Sequence, residues 1–329
     1  MNRGTKKLNL RQIISDYGIV VVLILMIIIF TLINPRFLQA KNLLAIITQS
    51  SIFGIIALGV TPIIIAKGID LSLGSMLAFS GMVMASLAQR SDSLTKIFPN
   101  LPAFSPIIGI LIGLFVAVLA GSISGSLVAK TGIPAFIATL GMQTILRGGS
   151  LLYTSGRPIS DLSNTILFFG KDLGGIPAPF IVYLIMAIIT WVLLNYTRFG
   201  SDAYAIGGNI HAAEVSGINV PKAQVKVFAY GGLMCGVAAL VFAGRVGSIH
   251  PAAATGFELT AIAATTIGGT SQSGGIGTVG GAVIGALILG VLRNGLTMIN
   301  VDGYWQQIVE GMIIIGAVVI DMRKNVGKR

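Results

Sequence analysis

The chain has 329 residues, of which 54% are hydrophobic and 10% charged, and its mean hydropathy is +0.90; soluble domains carry about 25% charged residues, so long apolar runs with so few charges indicate a polytopic helical membrane protein instead. The formal net charge of +11 does not point to nucleic acid, because the basic residues flank apolar runs. Arg3, Lys6, Lys7 and Arg11 precede the first run and Arg323, Lys324, Lys328 and Arg329 follow the last, a pattern that sets both termini on the cytoplasmic side.

In chain order the apolar segments fall at 14–33, 43–66, 72–88, 106–129, 133–152, 178–195, 225–243, 257–270, 277–294 and 304–321. A spanning helix needs roughly 20 residues, so the sequence predicts about ten membrane helices, an even number that agrees with the basic flanks. The first run is long for a signal peptide and ends in Asn34-Pro35 rather than a small-x-small cleavage site, which reads as a retained helix. Segments 257–270 and 277–294 are short and separated by Gly268-Gly269-Thr-Ser-Gln-Ser-Gly274-Gly275; this predicts broken helices, which are tolerated at membrane depth only inside protein or beside a water-filled cavity. The expected fold class is therefore all-α, a single transmembrane domain over 1–329. Residues 1–13 and 322–329 are cytoplasmic tails and 196–224 is the main cytoplasmic loop. A weak likeness between Gly125–Met142 and Gly295–Met312 suggests an internal duplication, as in many transporters.

The junctions carry the polar residues. In Lys67-Gly-Ile-Asp70-Leu-Ser72-Leu-Gly-Ser75, Asp70 or Ser72 can cap the helix that follows; equally, a polar turn at a helix break suits a translocation path. Arg147 is expected to snorkel to the outer interface. In the 196–224 loop Asn209 can cap a short helix around 209–216 that Gly217 ends. A polar, Gly-bearing insert of this kind in an otherwise membrane-bound chain serves either as a docking site for a soluble partner or as an ordinary solvated loop.

Gly275-Ile-Gly277-Thr-Val-Gly280 matches the dinucleotide fingerprint, but it follows a broken apolar helix, not a strand of a βαβ unit. Gly277, Gly281 and Gly285 repeat every four residues and read as one close-packing helix face. Glu310 is the one acid that looks deep, with Asp70 and Arg147 nearer the ends of spans, which argues against a proton relay. His211 and His250 fall on opposite sides of the membrane and form no metal site. The chain has no P-loop and no Ser/His/Asp arrangement, so no catalytic residue, metal ligand or nucleotide site is assigned. Cys235 is the only cysteine and can form no internal disulfide.

Three spaced motifs carry a family resemblance: Gly68-Ile-Asp-Leu-Ser-Leu-Gly-Ser75; Ala205-Ile-Gly-Gly-Asn209 with Ala212-Ala213 and Ser216-Gly-Ile218; and Glu258-Leu259 with Ala261-Ile-Ala-Ala264 and Ile267-Gly-Gly-Thr-Ser271. Together with Ala135-Phe-Ile-Ala-Thr-Leu-Gly141 and Asn294-Gly-Leu296 they resemble the ABC sugar importer permeases of the ribose, xylose and galactose type. The resemblance implies a permease working as a pair, an ATPase subunit inside that binds ATP-Mg, and a sugar-binding protein outside, all at a bacterial cytoplasmic (inner) membrane. It also implies that Gly207, Gly208, Asn209, Ala212, Ala213, Glu214, Ser216, Gly217 and Ile218 form the segment that docks on the ATPase. Gln272, Arg293, Thr297-Met-Ile-Asn300 and Glu310 depart from the family pattern; Glu310 stands where many relatives are basic.

The reading is ATP-driven alternating access through a mildly polar path. Candidate path residues are Gln49, Thr61, Asp70, Ser72, Ser75, Gln143, Gln306 and Glu310, and selection rests with the external binding protein. A secondary transporter or facilitator and a membrane-embedded transferase are the alternatives. Simple sugars, autoinducer furanosyl compounds, inositols and nucleosides all remain open as solutes.

Overall fold

A computed structural model describes residues 10–100 and 104–326. Arg3, Lys6, Lys7, Lys328 and Arg329 lie outside the described residues. Among the described residues thirteen α-helices follow in order: α1 (Leu10–Ile33), α2 (Ala40–Ile65), α3 (Leu73–Leu87), α4 (Pro106–Thr131), α5 (Ala135–Thr154), α6 (Asn164–Phe168), α7 (Ala178–Tyr196), α8 (Arg198–Gly208), α9 (Ile210–Val215), α10 (Val220–Val246), α11 (Phe257–Ile267), α12 (Val279–Met298) and α13 (Gly303–Val326). Among the described residues β-structure is limited to isolated bridges such as Ile159 with Ile249. The fold is all-α, and each of the ten apolar segments contributes a helix.

Among the described residues six helices, α2, α4, α7, α10, α12 and α13, are long and apolar enough to cross a membrane, while Gly18–Ile33, Leu73–Leu87 and Phe257–Ile267 are shorter apolar helices. The centre of the molecule is α2, every residue of which from Ser50 to Ile65 is buried. A helix that is apolar all round is a core helix, and α2 has that character. Pro62 lies inside it, a position that membrane helices tolerate because neighbours re-satisfy the freed backbone.

Close approach through small residues joins α4 to α10. A Cβ added at Gly121 would meet the Phe228 carbonyl, and one at Gly232 would meet the Ala117 carbonyl. In a membrane, where burial of apolar surface gives little drive, such backbone proximity is what holds helices together.

The packing partners repeat. Helix α4 packs against α10, α3 and α5, and α12 packs against α2, α11 and α13. Helix α3 lies on α10 and α5, as α11 lies on α2 and α13, while α2 and α10 pack on each other. The run α2–α5 thus has its counterpart in α10–α13. The two segments with the faint sequence likeness, Gly125–Met142 and Gly295–Met312, occupy the matching α4–α5 and α12–α13 corners.

Two expectations need correction. The 196–224 region is not a loop with one short helix: α8 precedes α9, and Gly207 and Gly208 are the last residues of α8 rather than a lead into α9. The break between α11 and α12 runs from Gly268 to Thr278, so Gly277 precedes α12 and does not share its face.

Candidate solute cavity and docking segment

A cavity of about 690 Å³ opens between α2, α11, α12 and α13, with Gln49, Thr260, Arg293, Thr297, Gln306, Gln307 and Glu310 on its wall. Its centre is an ion pair. Arg293 Nη2 lies 2.7 Å from Glu310 Oε1 and 2.8 Å from Oε2, and Nε donates to Oε2 at 3.2 Å. The same Nη2 donates to Thr260 Oγ1 at 2.7 Å, and Thr260 Oγ1 lies 3.1 Å from Glu310 Oε1. The guanidinium carbon stands 5.5 Å from the Phe53 ring centroid and 6.0 Å from that of Phe257, within reach of cation–π attraction. One side chain from α12 is therefore fixed by groups of α2, α11 and α13. The planar fork of Arg suits such a bidentate pair, and its partner keeps the half-buried charge compensated. Gln306 Nε2 donates to Thr297 Oγ1 at 3.1 Å and to the Val301 carbonyl at 2.9 Å, fixing the start of α13 to the end of α12.

Of the sequence-derived path residues, the cavity brings together Gln49, Gln306 and Glu310. Thr61 is not on its wall: it is buried in α2, with its hydroxyl returned to the Ala57 carbonyl at 2.8 Å. Asp70, Ser72 and Ser75 cluster at the start of α3. Asp70 Oδ1 accepts from the Ser72 amide at 2.8 Å and the Ser72 hydroxyl at 2.6 Å, and Ser75 Oγ donates to the Ser72 carbonyl at 2.8 Å. Ser72 holds the N-cap position without a side-chain cap bond, so Asp70 supplies the turn-closing oxygen.

Two further acids are buried inside the protein: Asp70 is 1% exposed and Glu258 4% exposed. Glu258 sits in the first turn of α11, where the helix dipole favours a carboxylate. Its Oε1 accepts from Gln143 Nε2 at 3.2 Å, and a Cβ at Gly74 of α3 would run into its Oε2. The starts of the two short helices α3 and α11 thus meet around buried carboxylates, with Gln143 alongside. Arg147 is half-buried. Its Nη1 donates to the Pro251 carbonyl at 2.5 Å and the Ala253 carbonyl at 3.0 Å, which fastens the segment that leads into α11.

The second region is built from α8 and α9. Thr197 Oγ1 accepts from the Phe199 amide at 3.2 Å to cap α8. The Asn209 side chain accepts from the Ala212 amide at 3.1 Å to cap α9, while its own amide closes α8 on the Ala205 carbonyl at 3.0 Å. Gly217 ends the unit at φ +85°, a conformation in which glycine carries no side-chain penalty. The small residues do not share one outward face. Gly207 packs inward, where a Cβ would strike the Ile65 carbonyl and the Gly275 amide, and Ala213 is 3% exposed. Gly208 has open space beside it. The outward face consists of His211, Ala212, Glu214, Val215 and Ser216, with Val215 90% exposed. Ile218 is half-buried.

Behind this unit lies the break between α11 and α12. The Tyr204 hydroxyl donates to the Gly277 carbonyl at 2.7 Å, and the Gly275 amide donates to the Ile65 carbonyl at 2.8 Å. Further along, a Cβ at Gly281 would meet the Gly268 carbonyl and one at Gly285 the Ala264 carbonyl, whereas Gly277 faces the Ile65 side chain and Thr270.

Residues 42–318 match the family model described as branched-chain amino acid transport system / permease component. The ribose import permease protein RbsC of Haemophilus influenzae is 40% identical over 326 residues, covering 98% of this chain and 97% of that protein. RbsC of Bacillus subtilis is 38% identical over 323 residues, with 97% of each chain covered. The galactose/methyl galactoside import permease protein MglC of Escherichia coli strain K12 is 39% identical over 324 residues, with 96% of each covered. No solved structure matches.

Proposed function

This chain belongs to the branched-chain amino acid transport system / permease component family, within which it is a permease of the ribose- and galactose-type ABC sugar importers, and from that premise we propose that it forms the translocation path for a monosaccharide. The observation that carries the reading is end-to-end likeness to permeases named for ribose and for galactose. It is a multi-pass membrane transport subunit and not an enzyme. The sequence contains no P-loop, so ATP hydrolysis belongs to a partner chain.

The finer reading has ten spans with both termini in the cytoplasm of a bacterial inner membrane. On that topology α2 and α10 run in opposite directions, and so do α3 and α11, α4 and α12, and α5 and α13. The two halves are then inverted repeats of the kind that build alternating-access transporters. The cavity around Arg293 and Glu310 opens outward and receives sugar from an external binding protein. The exposed face of α9 docks on the ATPase, and the contact of α8 with Gly275 and Gly277 carries the ATPase's movement to the break beside α12. A second copy of the chain completes the membrane unit.

The test is reconstitution with the ATPase and binding protein encoded beside it. Uptake of D-ribose or D-galactose should require ATP and both partners. Uptake by this chain alone would favour the facilitator reading.

A further inference from the structure

The cavity contains two charged groups, Arg293 and Glu310, and both belong to one ion pair. Every hydrogen bond made by the guanidinium uses Nε or Nη2, toward Glu310 and Thr260; Nη1 has no protein partner among the described residues. Gln49 and Gln307 on the same wall likewise make no side-chain hydrogen bond among the described residues. The wall therefore presents unused amide groups and one unused guanidinium edge, in a space whose formal charges cancel.

An arrangement of this kind discriminates by charge. Unused neutral donors and acceptors suit hydroxyl groups, and a donor on a compensated guanidinium adds a strong hydrogen bond without an unbalanced field. A carboxylate or phosphate on the solute would be drawn to Arg293 but would face Glu310 across the same fork. A cationic solute would meet the reverse conflict. The phenyl rings of Phe53 and Phe257 beside the guanidinium keep the surroundings low in dielectric, where such conflicts weigh more than in water.

We propose that the Arg293–Glu310 pair makes this cavity selective for uncharged, hydroxyl-rich solutes, with Glu310 cancelling the charge of Arg293 while Nη1 remains free to bind a solute oxygen. The inference rests on the reading that the cavity lies on the solute path. It assigns to the permease a charge selection separate from that of any external binding protein.

The test uses the full chain in nanodiscs, with Cys235, which is buried, changed to Ala and Leu259 on the cavity wall changed to Cys. Labelling rates are compared for a sulfonate-bearing and an ammonium-bearing methanethiosulfonate, with Val215→Cys on the exposed face of α9 as the reference thiol. With the pair intact, the anion-to-cation ratio should match the reference. Glu310→Gln should raise it by about tenfold or more, Arg293→Gln should lower it comparably, and the double substitution should return it. In a second arm, D-ribose at high concentration should slow labelling by a neutral reagent and D-ribonate should not, until Glu310→Gln lets ribonate protect. A ratio indifferent to both single substitutions, or equal protection by ribose and ribonate with the pair intact, overturns the inference. ATP-driven uptake by the complete importer is measured separately: an importer that carries ribose while the labelling ratio ignores the pair keeps the permease reading and loses this one.

Discussion

The Tyr204 hydroxyl donates to the carbonyl of Gly277 at 2.7 Å, tying α8 to the backbone just before α12. A side chain of α8 thus holds the broken segment that faces it. Tyr204→Phe removes the bond and leaves the ring. Such a hydrogen bond contributes about 0.5–1.5 kcal/mol, so the fold should survive with little change in thermal stability. The expected outcome is a several-fold loss of sugar taken up per ATP hydrolysed, with the ATPase still bound. An unchanged ratio of uptake to hydrolysis would mean that movement passes by another route.

The outward and inward faces of α9 should separate in a pull-down. Val215→Arg and Ala212→Glu alter exposed positions and should weaken ATPase capture strongly while the permease still elutes as a single species. Ala213 is buried, so Ala213→Arg forces a charge into packed surroundings, a change that costs several kcal/mol unless the site opens. That variant should lose folded protein, not merely its partner. Full ATPase capture by both surface variants would move the docking site away from α9.

The contrast between Ala212 and Ala213 shows where sequence reading stops. The apolar runs located every long helix, because span length and hydropathy are set locally by the bilayer. The repeated corners at Gly125–Met142 and Gly295–Met312 also left a trace, since both must turn a chain between two packed helices. Helix α8 left little: Arg198-Phe-Gly-Ser-Asp-Ala-Tyr204 holds Gly and Ser among mixed polarity, and its formation depends on docking against α7 and α10. Which of two adjacent alanines points inward is a tertiary fact. So is the pairing of Arg293 with Glu310 across the α12–α13 corner, and so is the burial of Glu258, hidden because α3 packs over the start of α11. Gln49 and Thr61 look alike as polar breaks in one apolar run, yet the first reaches the cavity and the second satisfies itself on its own helix.

Topology is open to direct labelling. Ser91, Thr255 and Ser201 are all exposed. Cysteines at Ser91 and Thr255, in a Cys235→Ala background, should react with an impermeant thiol reagent added to intact cells. A cysteine at Ser201 should react only after the membrane is opened. Reaction at Ser201 from outside would place α8 and α9 away from cytoplasmic ATP and end the docking proposal.

The glycines of α12 allow a graded test of packing. Gly281 and Gly285 bring α12 onto the backbone of α11, so an added side chain would collide with the carbonyl of Gly268 or Ala264. Backbone cannot move aside as a flexible side chain can. Overpacking of this kind costs typically 1–3 kcal/mol and more where the obstacle is rigid. Gly280, the residue just before Gly281, has open space where its Cβ would go, which makes it the proper control. Thr278 is unsuitable, because its hydroxyl caps α12 at the Gly281 amide. Gly281→Leu and Gly285→Leu should therefore lower the melting temperature of the purified permease and its yield as a monodisperse species. Gly280→Leu should behave close to the parent protein. Equal tolerance of all three would show that α11 and α12 approach less closely than these contacts require.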